Sequence, residues 1–542
     1  LSTSYVSPEN SIQRDLVDIW GGILSISQIG TEDIFIEIGG DSLKTVVMAE
    51  QVYKKLGKRF SVPEFFKNPT IKHIETQLME QEAPSSSGEV NLRQLTPPEA
   101  VPLSTDQEMI YMHQAIFKDS SYNMPTAFDC ADTFSVQDIC DALRRLVRRH
   151  YILHAMLVRD GKQVKLRPDP KRDLDIKISR ASGSETEDLL FLTEFARTPF
   201  ELTKELPVKA LILQSQEKGH PHKVLLLIHH IVCDAVTLGI LGSEFEVLLN
   251  GGTLAPVALC YGGLRDHQIS QQEDHSRAAS YWVGNLLPIP ESLTLPTLCK
   301  FSELGDNQNI GKTISRALDP ALCEEVRQYC REQGLLPFTF FKGLSELLVA
   351  GAAGSESFLL GVPVTGRMQP ELNSVVGYLV NMLVFKVEVD QELTLSEHLY
   401  EQHLIWNESL PYQGFPIGEL INKLGDKVDA QSRKGKHRLF DVMFNYLPNQ
   451  LSGDMIGEQK GITALELPDD TAKFDLIMEV AEVGKGFEFS IQYRKHLFED
   501  KLIEQLLDAL SLLAQAACDE TEEPLFELMS NIALPQGTDY VC

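Results

Sequence analysis

Apolar residues within positions 1–80 recur at helical spacing. Ile12, Leu16, Ile19, Trp20 and Ile23 form one stripe, and Leu43, Val46 and Val47 begin a second. Thr70, Ile71, Ile74 and Leu78 form a third, after the Asn68-Pro69 stop. The pattern predicts a small all-α unit near the lower size limit of a self-supporting domain. Residues 81–97, QEAPSSSGEVNLRQLTP, carry almost no bulky apolar side chains and read as a linker. Beyond them the period changes. Residues 208–214, 223–230, 357–364, 379–389 and 485–493 are compact apolar runs that predict strands, whereas 235–249 and 320–333 predict helices. Such alternation predicts an α/β architecture too long for one small sheet, hence two lobes, set at 98–270 and 271–542.

Composition narrows the classes of function. The 542 residues hold 49 Lys+Arg against 77 Asp+Glu, a formal net charge of −28. That balance disfavours nucleic-acid partners, whose binding depends on basic side chains neutralising phosphates. No run of about 18 apolar residues predicts a membrane span, and LSTSYVSPENSIQRDL lacks the basic-then-apolar order of a signal peptide. Nine scattered cysteines without a CxxC pair fit reduced thiols and a cytoplasmic location.

Two segments concentrate chemistry. In DIFIEIGGDSLKTVVMAEQVYKKLG (33–57), Gly39, Gly40 and Asp41 stand directly before Ser42 and an amphipathic helix. A serine in a first helical turn lies beside unpaired backbone N–H groups, which favour an attached anion such as a phosphodiester. Asp41 or Ser42 acting as an ordinary helix cap is the plain alternative. In VLLLIHHIVCDAVTLGIL (224–241), His229 and His230 end an apolar strand before a helix. Neighbouring strand residues point to opposite faces, so only one histidine can face a given cleft. An imidazole there can exchange protons at neutral pH. Against this stand a hydrogen-bonded core histidine and Asp234 as a mere N-cap. His, His and Asp can also ligate a metal, but no further ligand cluster converges in the sequence, and no metal is expected.

The carrier-like segment, IFIEIGGDSLKTVVMAEQV with FSVPEFFKNPTIKHIETQL (60–78), resembles the peptidyl carrier (thiolation) domains of nonribosomal peptide synthetases. The resemblance implies a four-helix fold over residues 1–80 and 4′-phosphopantetheine attached to Ser42, carrying substrate as a thioester. HHIVCDA resembles the HHxxxDG motif of condensation domains, which are related to chloramphenicol acetyltransferase. LSTDQEMIY (103–111), RRHYILHAML (148–157), GVPVTGR (361–367), VVGYLVNMLVF (375–385), HRLFDVMFNYLPNQ (437–450) and KFDLIMEV (473–480) follow in that family's order. The resemblance implies a two-lobed α/β fold meeting in a V with a tunnel between the lobes. It also implies His230 as the catalytic base or nucleophile positioner, Asp234 as a structural anchor paired with Arg367, and His229 as packing support.

Departures from the pattern bear on function. Ala235 replaces the glycine after the motif aspartate, and the usual YxDYAxW stretch is Tyr261-Gly-Gly-Leu-Arg-Asp-His267. His229 is retained where many terminal domains of this kind replace it. The order from carrier to condensation-like domain, ending at LPQGTDYVC, resembles the terminal cyclising domains of fungal synthetases, at family level those of fumiquinazoline type. The expected activity is release of a carrier-bound peptide by intramolecular amide formation. The implied partners are the carrier-bound peptide, upstream synthetase modules and a phosphopantetheinyl transferase. Three readings compete with it: ordinary condensation with a downstream carrier, a non-catalytic recruitment platform, and epimerisation. The last is disfavoured because no EGHGRE-like segment supplies a glutamate.

Overall fold

The structure, a computed structural model, describes residues 5–24, 26, 28–35, 38, 40, 42–58, 60, 65, 68–80, 97–271, 275–299, 304, 309–367, 369–425, 427, 439–448, 461–467 and 471–531. Most of the linker, the side chains of Leu43, Val46 and Val47, and Gly39 and Asp41 lie outside these residues.

Three of the four expected carrier helices are among the described elements: Ser11–Leu24, Ser42–Leu56 and Ile71–Glu80. Their inward stripes meet in one core. Leu16, Trp20, Met48, Val52, Ile71, Ile74 and Leu78 are all fully buried, each apolar burial contributing about 1.5–3 kcal/mol. Trp20 packs edge-on against Phe35, with ring centroids 4.6 Å apart. Gln13 Nε2 donates to Glu75 Oε2 at 2.6 Å, pinning the first helix to the last inside that core.

The larger region contains two main sheets. Strands β1 (Val101–Pro102), β2 (Asn123–Cys130), β3 (Ala155–Asp160), β4 (Gln163–Pro168), β5 (Asp175–Arg180), β6 (Val208–Gln214) and β7 (His222–His229) build the first lobe. Strands β8 (Gly311–Ala317), β9 (Ser357–Val364), β10 (Asn381–Glu388), β11 (Val442–Leu447), β12 (Ile462–Leu465), β13 (Leu476–Val483) and β14 (Gly486–Arg494) follow. The sheet orders are β12-β2-β7-β6-β5, with a small β1-β4-β3 sheet beside it, and β10-β9-β11-β13-β14-β8. The chain therefore returns to the first lobe late: β12 pairs antiparallel with β2, Ile462 opposite Cys130. Leu372, Val375 and Val376 likewise pack into the first lobe's core. This two-lobed α/β architecture is the one the resemblance implied.

Central position explains composition here. Strand β7 lies between β2 and β6, and Val224–Ile228 are buried throughout. A strand covered on both faces reads as a continuous apolar run. β14 instead alternates. Phe487, Phe489, Ile491 and Tyr493 are buried, while Glu488, Ser490 and Gln492 line the space between the lobes. Helix Pro337–Ala353 is buried on nearly all sides and carries a fully buried Lys342–Glu346 ion pair at 2.5 Å. Among the described residues no single helix is long and apolar enough to cross a membrane.

Candidate active site

His230 occupies the point where β7 ends. Its backbone N–H donates to the Tyr122 carbonyl at 2.8 Å, and His230–Val232 then form a short 3-10 turn. The strand thus closes at His229, one residue before the end its apolar run predicts. The two histidines part as strand alternation requires. His229 is fully buried; its Nδ1 accepts the Ile231 N–H at 3.2 Å, which leaves the proton on Nε2, 3.3 Å from Gln114 Oε1. It holds the turn.

The His230 ring instead lines a cavity of about 860 Å³ between the lobes. Its Nδ1 lies 2.7 Å from the Cys233 carbonyl, so Nδ1 carries the hydrogen and the Nε2 lone pair is left to accept. Tyr378 stands edge-on to the ring, centroids 5.5 Å apart. Burial, reinforced by the positive charge of Lys473, pushes the His230 imidazolium pKa down to about 3. His230 is therefore a neutral acceptor throughout the physiological range, and a weak base.

Asp234 performs three tasks. As N-cap of helix Ala235–Leu249 it accepts the Thr237 N–H at 2.8 Å. Its second oxygen accepts the Leu379 N–H at 3.1 Å, and both oxygens lie 2.9 Å from Arg367 Nη2. Arg367 continues across the junction, donating Nη1 to the Leu372 carbonyl and to that of Val375, the latter at 2.9 Å. Both partners are at most 2% exposed. Gly366 makes this possible: its φ is +63°, and a Cβ there would lie 1.8 Å from the Leu379 oxygen. The pair ties the helix after His230 to the segment before β10.

Removing one partner of such a pair strands a buried charge, at a cost of about 3–5 kcal/mol. Asp234→Ala and Arg367→Ala are each expected to lower the denaturation midpoint of the condensation region strongly. The double variant is expected to lose less than the sum of the two. Additive losses in a denaturant-unfolding cycle would show that the pair is not coupled.

Ser42 lies at the first position of helix Ser42–Leu56. Gly40 precedes it in a turn whose N–H donates to the Phe35 carbonyl at 2.8 Å. A Cβ on Gly40 would come within 2.2 Å of the Phe35 ring, so the approach to the helix needs glycine. The helix N-terminus suits an attached phosphodiester, and a hydroxyl is the group that forms one. The same helix lies beside Pro370–Ser374, the turn whose Leu372 carbonyl receives Arg367.

The structure adds cavity residues that the motifs did not single out: Asp106, Tyr378, Lys473, Asn445 and Glu479. Asp106 sits within LSTDQEMIY, where an acid in a first helical turn reads as dipole complementation. Ser490 falls on the polar side of alternating β14, and Glu479 is a charged residue between apolar Met478 and Val480; each reads as a solvated position. No signal short of tertiary structure separates a cavity wall from bulk surface.

Known proteins corroborate both regions. The family profile described as "Condensation domain" matches residues 98–531, and "Phosphopantetheine attachment site" matches residues 14–78. Surfactin synthase subunit 1 of Bacillus subtilis (strain 168) is 27% identical over 99% of this chain and 15% of its own length. Bacitracin synthase 3 of Bacillus licheniformis is 27% identical over 97% of this chain and 8% of its own length. The chain thus spans only a small part of the length of these relatives. Among solved structures, the X-domain from teicoplanin biosynthesis superposes with a TM-score of 0.70 at 16% identity, covering 80% of this chain and 98% of that one. The condensation domain from the Monacolin K polyketide synthase MokA gives 0.65 at 16% identity, covering 79% and 100%. These two likenesses concern the fold.

Proposed function

Because this chain belongs to the condensation-domain family and carries a phosphopantetheine attachment domain, we propose that it releases a carrier-bound peptide by intramolecular amide formation. The coarser activity, amide-forming acyl transfer in nonribosomal peptide synthesis, follows from the two family memberships. Cyclisation is our reading. The observation that carries it is the interlobe cavity, about 860 Å³ with His230 on its wall. That is near the upper end of small-molecule sites, about 300–1,000 Å³, and leaves room for a short peptide folded back on its own thioester. The sequence departures at Ala235 and Tyr261–His267 support the same reading, as they do a terminal domain of the fungal type.

Each residue then takes a defined part. When bound through Ser42, the phosphopantetheine arm supplies the thiol that holds the peptide as a thioester. His230 Nε2 accepts a hydrogen bond from the peptide's nucleophilic nitrogen and aims it at the acyl carbon. His229 and Cys233 fix the orientation of that ring. Asp234 and Arg367 hold the two lobes' segments in register around it. Enclosing both reacting ends makes the step effectively unimolecular, which can lower the barrier by about 7–11 kcal/mol. Upstream synthetase modules and a phosphopantetheinyl transferase are the implied partners, with lobes divided near residue 270.

The test is intact-mass analysis of carrier loaded with a peptidyl-pantetheine. Loss of the acyl mass with appearance of a product one water lighter than the free acid supports cyclisation. Release only as a linear peptide joined to an added acceptor carrier would establish ordinary condensation instead.

A further inference from the structure

The cavity wall carries carboxylates as well as His230, and one of them, Asp106, is anchored from the opposite lobe. Asp106 lies in the first turn of helix Thr105–Phe117, whose start is fixed by the capping box of Ser104 and Gln107. Asp106 lines the same cavity as His230 and Tyr378. Oδ1 accepts the backbone N–H of Gly418 at 3.1 Å and faces the Thr105 hydroxyl at 3.5 Å. Gly418 belongs to the other lobe, in the first turn of helix Ile417–Leu424, which has no side-chain cap of its own. Asp106 therefore caps that helix from across the cleft, and a Cβ on Gly418 would lie 2.6 Å from Thr105 Cβ. Both of the carboxyl's hydrogen bonds among the described residues fall on Oδ1, so Oδ2 takes no hydrogen bond from them.

We propose that Asp106 is a catalytic residue of this cavity, the base that takes the proton from the peptide's amine nucleophile. The proposal rests on the amide-forming reading above. The anchored oxygen holds the carboxyl in place, and the other receives the proton. Burial is the main reason its pKa is raised from 3.8 to about 6. Arg265 and the Gly418 N–H oppose the rise, and Glu419, itself 3.3 Å from His275 Nδ1, adds to it. Tyr261 and Tyr378, the other titratable neighbours, are held neutral by burial. A base is most effective when its pKa lies near the working pH, and on that measure Asp106 is better matched than His230. An ammonium R–NH3+ gives its proton to Asp106. The freed amine attacks the thioester carbonyl; one C–N bond forms, one C–S bond breaks, one of the two remaining nitrogen protons leaves with the thiolate as thiol, and the other stays on the amide. Asp106 returns its proton to water.

The test uses the full chain with a soluble peptidyl N-acetylcysteamine thioester, with and without an added amine acceptor, so that it does not depend on Ser42. Asp106→Asn keeps an oxygen to cap Gly418 but cannot take a proton. At pH 7.5 it is expected to form amide, cyclic or intermolecular, on the order of 10²-fold more slowly, with Asp106→Glu recovering part of the loss. Wild type uses the ammonium form of the substrate and Asp106→Asn only the free amine, so the wild-type to Asp106→Asn rate ratio is expected to rise as pH falls from 8. It should level off below about 6, where the carboxylate becomes protonated. A carboxyl ¹³C resonance titrating near that pH, and absent from Asp106→Asn, should accompany it. Equal rates for wild type and Asp106→Asn from pH 5 to 8 would overturn the proposal. So would a slower variant whose ratio does not change with pH, since that is the mark of a purely structural cap.

Discussion

Ser42→Ala will fold, resist modification and release nothing. Alanine has the higher helix propensity, so the first turn of Ser42–Leu56 loses no intrinsic stability. What it lacks is the oxygen that forms the phosphodiester. Incubation with a phosphopantetheinyl transferase and coenzyme A should add one pantetheinyl mass to the wild type and none to the variant. With no arm to load, the variant should give no carrier-derived product, the largest effect expected of any single substitution. The tertiary reason is local: the glycine approach at Gly40 and the core residues Met48 and Val52 hold the helix start in place. A variant that gained the same mass would move the attachment site elsewhere.

His230→Ala should follow in size. Loading at Ser42 stays normal, while cyclic product forms on the order of 10²-fold more slowly, the lower end for a positioned proton-handling group. The lower end applies because the imidazole, with its pKa near 3, is a weak base; its Nε2 aims the nucleophile more than it deprotonates it. The pH behaviour separates these functions. His230 titrates at 6.5 unfolded and about 3 folded, so the unfolded chain binds more protons between those values. The stability due to its neutral burial is complete above 6.5 and lost as pH falls toward 3. No His230-linked change in release is expected between pH 6.5 and 9. A rate profile with an inflection near 6.5 that vanishes in His230→Ala, or a variant that cyclises at the wild-type rate, would refute this role.

Much of this architecture is legible without coordinates. Helices Ala235–Leu249 and Pro320–Gln333 begin and end where the pattern places them. Their boundaries are set locally, by Asp234 and Asp319 as caps and by Gly334 in a left-handed C-cap. Strands β6 and β9 likewise coincide with their apolar runs. Where prediction and structure part by a residue, as at the end of β7, the cause is the 3-10 turn His230–Val232, held by His229 Nδ1 accepting the Ile231 N–H.

The sequence by itself determined the helical carrier, the α/β alternation, and the two motifs around Ser42 and His230. These rest on short-range physics: periodicity, caps and strand alternation act within a few residues. Tertiary structure alone decided the rest. It brought Asp234 and Arg367 together across 133 positions. It sent β12 back to pair with β2, and turned the polar side of β14 from an apparent solvent face into a cavity wall. It also placed Asp106 against Gly418, 312 positions away. A carboxylate in a helix's first turn looks the same in sequence whether it meets water or the opposite lobe. Only burial, which belongs to the whole fold, raises its proton affinity, and only the fold sets it on the wall of the cavity that His230 also lines.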